Sequence, residues 1–453
     1  MESDWAILLQ AAVAGVIVYA TAKVITGTRS LVPLLAMVFV VSNGLGKTEV
    51  FKRYVRLAHR YWIRLNHGSS SVHGLRSLSG NEAYKELSEA SQSELAIALN
   101  SLMNYRSNTK RSNDRRRELF KLMSWRQQNL ATKTGYLKRL ESLDSLIVAN
   151  QRFCDSIIDY TLSHYGLDSF AVRKIKPHGG GGGSASNSNY RVVEALSHFL
   201  RDWPDTEISP EIEPMVQFVT QQLERICGNK TSSYLDGADL VVPGSGLGRL
   251  SYELAKRNPK WQVSSIEYSG LMSICNSYVF NENPNPLTTF YPFIHGNSNI
   301  ICAKDQARSI TFTPRVKPGN LNHFFGDFRF FKLAPNSQST KPLVIVTCFF
   351  IDTAENLIEY IDTLNNLASS SKRTTYWINV GPLKYGSAAQ IEPTVEELTE
   401  LRKLMGWKDI TNFSSIDDDA NDGSLPKLVS YITDTKSFWQ GYYGVHAFAC
   451  KKT

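Results

Sequence analysis

Cysteine is sparse in this sequence. The 453 residues include six cysteines, and they lie far apart without a CxxC pair. Their spacing excludes a small disulfide-built fold and predicts reduced, mostly buried thiols in an intracellular compartment. The six positions are Cys154, Cys227, Cys275, Cys302, Cys348 and Cys450.

Two motif fragments lack residues that their chemistry needs. Gly44-Leu45-Gly46-Lys47-Thr48 looks like the end of a phosphate-binding loop, but the position that requires a glycine is Val41. The run Asp417-Asp418-Asp419 lacks the glycine and the distal glutamate of a calcium loop. We therefore expect neither a P-loop nor a metal site.

Acidic residues are fewer than basic ones, 42 against 50, which gives a formal net charge of +8. The excess is spread along the chain. Its clearest run, Arg111 to Arg117, leads into an apolar helical pattern and indicates a solvated helix face rather than an RNA-binding surface. We expect no nucleic-acid partner.

Charge is absent from Trp5 to Ala22, a length that meets the minimum for a membrane-spanning helix. A second uncharged stretch, Ser30 to Gly46, is too short in its apolar part to predict another span. Acidic residues precede the first stretch, so an uncleaved anchor is favoured over a signal peptide, with the rest of the chain in the cytosol. The alternatives are a buried apolar helix and a wrongly assigned gene start.

Composition divides the chain into four segments. Residues 1–46 are apolar, and residues 47–178 have the three-to-four spacing of a helical region. The Gly-, Ser- and Asn-rich residues 179–189 predict a flexible linker and a domain boundary. Residues 190–453 alternate strand and helix patterns, which predicts an α/β fold with a parallel sheet. Within them, residues 280–325 are too long for an ordinary connection and predict a substrate-side insertion.

The predicted strands end in residues suited to nucleotide binding. The predicted strands are residues 240–243, 262–267, 343–347 and 375–380, with residues 442–450 as an antiparallel edge strand. Gly244 and Gly246 lie in a glycine turn after the first strand, where the backbone must approach a ligand. Glu267 ends the second strand, where a carboxylate accepts ribose hydroxyls. Dinucleotide enzymes share this pattern, so it does not choose the cofactor.

Two acidic positions follow later apolar segments. Asp327 and the adjacent Phe328 suit an adenine amino group and its ring, with an ordinary turn as the alternative. Asp352 follows residues 343–347, at a carboxyl end where ligands of open α/β sheets bind. Together with Glu355 it also has the form of a helix capping box, and both interpretations can hold.

Several ordered motifs together resemble the carnosine N-methyltransferase family. The motifs are Phe199–Trp203, Val242–Leu250, Tyr291–His295, Gly326–Phe328, Cys348–Thr353, Tyr360–Thr363 and Trp377–Leu383. The resemblance covers the chain from about Asp114 onward. It implies a class I, Rossmann-like methyltransferase sheet behind an N-terminal helical region, S-adenosylmethionine as cofactor, and methylation of an imidazole nitrogen in a histidine-containing dipeptide such as carnosine, giving anserine.

The resemblance also implies roles for individual residues. Those implied to bind the cofactor are Arg201, Gly244 with Gly246 in the same turn, Glu267, Asp327, Phe328 and Cys348. Asp352 and Tyr443 are implied to hold the imidazole substrate. As catalytic roles, we hypothesise that Asp352 orients the ring by accepting its N–H and that Tyr443 positions the dipeptide. The chain departs from the family at His198, where the family has a glutamine, and at Gly386, where it has a substrate-contacting histidine. His198 can still hydrogen-bond the methionine carboxylate region.

Other functions remain open at this level. A methyltransferase acting on protein histidine is the nearest alternative, because Gly386 is compatible with a larger acceptor. A dehydrogenase would share the glycine turn but has no use for Asp327-Phe328 and Cys348 to Asp352. A non-catalytic binding protein on the same fold is the third alternative, and the sequence leaves the oligomeric state open.

Overall fold

The computed structural model describes most of the chain as two compact units, Met1–Ser71 and Val72–Thr453. The described residues are 2–26, 32–48, 51, 78–175, 184–204, 209–227, 237–281, 289–333, 341–417, 419, 421 and 423–453.

In the described part of the first unit lie the helices α1 (Glu2–Thr26) and α2 (Val32–Lys47). Within α1, residues Ala6–Val24 are long and apolar enough to cross a membrane. Gly15 lies where the helices meet, since a Cβ there would stand 2.9 Å from the Val41 side chain. A small residue at this point lets the two backbones approach closely.

The described part of the second unit begins with helices. They are α3 (Glu82–Lys85), α4 (Glu89–Met103), α5 (Tyr105–Lys121), α6 (Trp125–Lys133), α7 (Tyr136–Tyr165) and α8 (Ser169–Lys174). Side-chain caps fix where they begin: the Ser88 hydroxyl accepts from the Ser91 N–H, and Ser124 forms a capping box with Gln127.

The rest of the unit is an α/β sheet. Its helices are α9 (Ser184–Asp202), α10 (Glu213–Cys227), α11 (Arg249–Arg257), α12 (Gly270–Val279), α13 (Ala303–Gln306), α14 (Leu357–Ser371) and α15 (Val395–Leu404). Its strands are β1 (Asp239–Pro243), β2 (Gln262–Glu267), β3 (Thr289–Phe290), β4 (Ile310–Thr311), β5 (Leu321–Phe325), β6 (Leu343–Cys348), β7 (Thr375–Gly381), β8 (Trp407–Ser414), β9 (Val429–Ser430), β10 (Tyr442–Tyr443) and β11 (His446–Lys452).

Among the described residues, seven strands form the main sheet in the order β5-β2-β1-β6-β7-β11-β8. The five strands from β5 to β7 are parallel, and β11 runs antiparallel to both neighbours. The strand order reverses between β1 and β6, and ligands of open α/β sheets bind beyond the carboxyl ends of such strands. The predicted class I methyltransferase fold is confirmed.

Both faces of the sheet are covered, which explains why its inner strands are continuously apolar. Leu240 and Val242 face a cluster that includes α10 and α11, whereas Val241 between them faces α14 and α15. This alternation follows from the two-residue period of a strand.

The C-terminal run is placed differently from the prediction. Tyr442–Tyr443 pairs with β9, and His446–Lys452 lies between β7 and β8 rather than at the edge. The edge strand is β8, which the sequence did not reveal because only one of its faces is buried and its apolar residues are few.

The predicted insertion, residues 280–325, also needs correction. Its last residues are β5, a strand of the main sheet, and residues 282–288 lie outside the described part. The remainder forms β3, β4 and short helical turns. Because β5 is partly exposed, its five residues do not form the continuous apolar run that predicts an inner strand.

The predicted linker, residues 179–189, does not separate two compact units. Residues 179–183 lie outside the described part, and 184–189 belong to α9. One hydrophobic cluster joins α4 and α7 to α9 and α12 across this point, for example through Phe153 and Phe199, whose ring centroids are 5.3 Å apart. The helical region and the sheet therefore share a core.

Candidate active site

The glycine turn lies at the reversal of strand order. Gly244, Gly246 and Gly248 all have positive φ, at 62°, 55° and 80°. A Cβ on Gly244 would overlap the Phe350 ring, so a side chain there meets both strain and a clash. The turn thus brings bare backbone to the carboxyl end of β1.

Glu267 ends the neighbouring strand and is buried, with 8% of its surface exposed. Its two carboxylate oxygens accept from the Gly246 N–H at 2.8 Å and the Ser269 N–H at 2.7 Å. Burial raises the pKa of Glu267 to about 7, against the lowering effect of these bonds. Each oxygen keeps a lone pair for a hydroxyl donor.

The end of α9 contributes a buried charged group. The Arg201 Nε donates to Asp202 at 2.6 Å, and the guanidinium lies 4.8 Å over the Tyr431 ring. Burial alone would raise the pKa of Asp202, but Arg201 and His198 hold it below its ordinary value. In the described part of the chain, His198 Nδ1 and the second Asp202 oxygen are buried without hydrogen-bond partners, 3.9 Å apart.

Asp327 and Phe328 follow β5 directly. Arg329, two residues on, donates to the Asp327 carboxylate through both its guanidinium, at 2.6 Å, and its backbone N–H, at 2.9 Å. Phe328 is 5% exposed and lies edge-on to Phe350 and Tyr360. The pair therefore already has protein partners.

Cys348 ends β6, the strand across the strand-order reversal from β1. Its Sγ lies 3.4 Å from the Met215 sulfur. Burial raises the pKa of Cys348 to about 12, so the thiol is neutral and unsuited to be a nucleophile.

Asp352 lies in a 3-10 turn after β6, with 7% exposure. Its Oδ2 accepts from the Lys384 backbone N–H at 3.0 Å, and burial raises its pKa. The capping-box interpretation of Asp352 and Glu355 is wrong, because Asn356 caps α14 by accepting from the Ile358 N–H. Asp352 therefore does not cap α14 and remains available at the carboxyl end of β6.

Tyr443 reaches the same region from β10. Its hydroxyl accepts from Lys384 Nζ at 3.1 Å. Its ring stands edge-on to Phe349 and Tyr431, 6.2 Å from each centroid, and those two rings stack at 5.0 Å. Lys384 thus contacts Asp352 through its backbone N–H and Tyr443 through its Nζ.

The sequence missed Lys384, Phe349 and Tyr431. Lys384 adjoins the predicted Gly381-Pro382-Leu383 motif, so its position was a usable indication. Phe349 has a positive φ of 50°, which no local pattern announces. Gly386, two residues beyond Lys384, has open space, since a Cβ there would meet no atom within 4 Å.

A family model described as carnosine N-methyltransferase matches residues 183–453. An uncharacterized protein of Saccharomyces cerevisiae is 35% identical over 58% of this chain and 56% of its own length. Carnosine N-methyltransferases of Schizosaccharomyces pombe and Mus musculus are 27% and 28% identical, each over 58% of this chain and over 70% and 63% of their own lengths. The chain thus spans little more than half of the first of these relatives.

Two of the solved structures that match this chain are remote from it in sequence. The magnesium protoporphyrin IX methyltransferase of Synechocystis is 11% identical, with a TM-score of 0.33 over 59% of this chain and 97% of that chain. A SAM dependent methyltransferase of Aquifex aeolicus is 12% identical, with a TM-score of 0.32 over 58% and 98%.

Proposed function

Since the chain belongs to the carnosine N-methyltransferase family, we propose that it transfers a methyl group from S-adenosylmethionine to an imidazole nitrogen of a small histidine-containing peptide. Carnosine, with anserine as product, is the first acceptor to test. The observation that carries the proposal is Asp352, a buried carboxylate just after β6. Lys384 connects it to Tyr443, because the Lys384 N–H donates to Asp352 and its Nζ donates to the Tyr443 hydroxyl.

The residues of the crevice fit the proposed cofactor. Glu267 has lone pairs for ribose hydroxyls. In the turn, Gly246 borders open space, since a Cβ there would meet no atom within 4 Å. Arg201 bonds to protein through Nε, which leaves its terminal nitrogens for a carboxylate tail. The unpartnered atoms of His198 and Asp202 suit the same amino-acid tail, because buried polar atoms rarely stay unpaired.

The proposed chemistry is a direct displacement. S-adenosylmethionine supplies an electrophilic methyl group on sulfur. Asp352 accepts the N–H of a neutral imidazole, which turns the other, bare nitrogen toward that methyl. As the N–C bond forms, the S–C bond breaks with its electron pair going to sulfur, and Asp352 takes the proton of the resulting imidazolium. The raised pKa of Asp352 favours this last step.

Protein histidine is the second candidate acceptor. The open space at Gly386 favours it, because a larger substrate needs room where the family has a side chain. The direct test incubates the full chain with methyl-labelled S-adenosylmethionine and either carnosine or a histidine-containing protein extract. Label in carnosine supports the first acceptor, label only in protein supports the second, and none in either supports a non-catalytic binding protein.

We also propose that the first unit anchors the chain to a membrane, leaving the catalytic part in the cytosol. Nineteen residues of α1 span about 28 Å, close to the bilayer core. Val16 on α1 and Phe39 on α2 expose 62% and 68% of their surfaces, a poor arrangement in water. The full chain should float with phospholipid vesicles, and Val16→Asp with Ile17→Asp should abolish this, whereas Val316→Asp, also exposed, should not.

A further inference from the structure

Lys384 places a positive charge where the proposed acceptor binds. Its backbone N–H holds the Asp352 carboxylate, and its Nζ lies 3.1 Å from the Tyr443 hydroxyl. One residue therefore contacts both side chains proposed to hold the imidazole.

The Asp352 carboxylate stabilises the Lys384 ammonium from beyond the distance of an ion pair. Within the described residues, Lys384 forms no ion pair with a carboxylate, and its partners are the hydroxyl and ring of Tyr443. The hydrogen bond to Tyr443 raises its pKa above the ordinary value. The Lys384 side chain is exposed, and its ammonium is held at the Tyr443 hydroxyl with its other donors available.

Such a charge selects among acceptors. An ammonium attracts a carboxylate and repels another ammonium, and the difference is largest where water is partly displaced. A histidine at a peptide C-terminus has a carboxylate on the same residue as its imidazole, whereas an internal histidine has an uncharged peptide group there.

We propose that Lys384 binds the C-terminal carboxylate of the acceptor, so that this enzyme prefers imidazoles of C-terminal histidine over histidine inside a protein. This inference rests on the proposed methyl transfer and narrows its substrate class. Lys384 is then a specificity residue that contacts the substrate. Asp352 orients the imidazole ring, and Tyr443 positions the Lys384 ammonium.

The test compares carnosine with its C-terminal amide, which differs only in the carboxylate. With the full chain, amidation should raise KM at least tenfold while kcat changes little. In Lys384→Met the acid and the amide should have equal kcat/KM, both near the value of the amide with the unmodified protein. Lys403→Met, an exposed lysine paired with Glu400 on α15, should keep the full discrimination.

A binding measurement separates this inference from the proposed function. Calorimetry with S-adenosylhomocysteine present should show tighter binding of carnosine than of the amide, independently of turnover and of any variant. Equal KM and equal affinity for acid and amide would overturn the role of Lys384 alone, and so would preferred methylation of an internal histidine. A protein that binds the cofactor but methylates no imidazole would overturn the proposed function and this inference with it.

Discussion

Asp352 is the residue on which the proposed chemistry depends. It is a buried acid whose Oδ2 is held by the Lys384 N–H, so its position is fixed before a substrate arrives. Asp352→Asn should lower kcat about 10²- to 10⁴-fold, because an amide orients the imidazole wrongly and takes up no proton. Steady-state kinetics with carnosine measures this loss.

The control for Asp352→Asn is Asp159→Asn, an exposed carboxylate on α7. Both variants should bind S-adenosylhomocysteine as the unchanged protein does, since neither touches the glycine turn. Normal turnover of Asp352→Asn would remove this residue from the mechanism.

Glu267 should make cofactor binding depend on pH. Its pKa of about 7 lies above its ordinary value because it is buried, so it holds a proton in the free protein below that pH. Ribose hydroxyls need the ionised form, and we expect affinity for S-adenosylhomocysteine to fall about tenfold per pH unit below 7. Calorimetry between pH 5.5 and 8 tests this. Glu267→Gln should bind S-adenosylhomocysteine weakly, with an affinity that does not vary with pH.

The raised pKa of Glu267 makes the stability of the free protein fall with rising pH, whereas cofactor affinity is expected to rise. Between pH 4.5 and 7 the folded protein binds a proton that the unfolded chain releases, so Glu267 destabilises the free fold most above pH 7. An affinity for S-adenosylhomocysteine that does not vary with pH would contradict the assignment of Glu267 to the ribose.

At the level of elements, the turn between β1 and α11 tolerates few substitutions of its glycines. Gly244→Ala should lower the free energy of unfolding by about 1–3 kcal/mol, because a left-handed φ is strained for alanine and its Cβ would overlap Phe350. Urea unfolding measures the loss. Gly319→Ala is the matched control, since a Cβ there meets no atom within 4 Å. Equal stability of the two variants would show that the turn relaxes.

At the scale of the whole molecule, the helices before residue 176 complete the core of the sheet region. Phe153 on α7 is fully buried and stacks on Phe290 at 5.0 Å. Phe153→Ala should therefore destabilise the second unit by about 3–5 kcal/mol, in one cooperative transition that also melts the sheet. Circular dichroism and intrinsic fluorescence should report the same midpoint.

A truncation tests the same shared core directly. Residues 183–453 alone, the region of the family match, should be insoluble or molten, whereas residues 78–453 should fold. A stable, cofactor-binding fragment 183–453 would mean that the helical region is an independent domain, as the linker composition suggests.

The sequence by itself determined the inner strands, the glycine turn and the family. Strands β1, β2, β6 and β7 are covered on both faces, so each of them is a largely apolar run in the sequence. The turn is recognisable because its backbone conformation requires glycine at several positions. The site residues came with the family motifs, and their roles remain proposals.

Only the tertiary structure decided the position of β11, the identity of the edge strand and the setting of Asp352. Lys384 meets Tyr443 across 59 residues, and His198 meets Tyr431 across 233. Such contacts depend on how strands are ordered in the sheet, and neither spacing nor local pattern encodes that order. The sequence therefore contains Lys384, but only the fold places its charge at the proposed acceptor site.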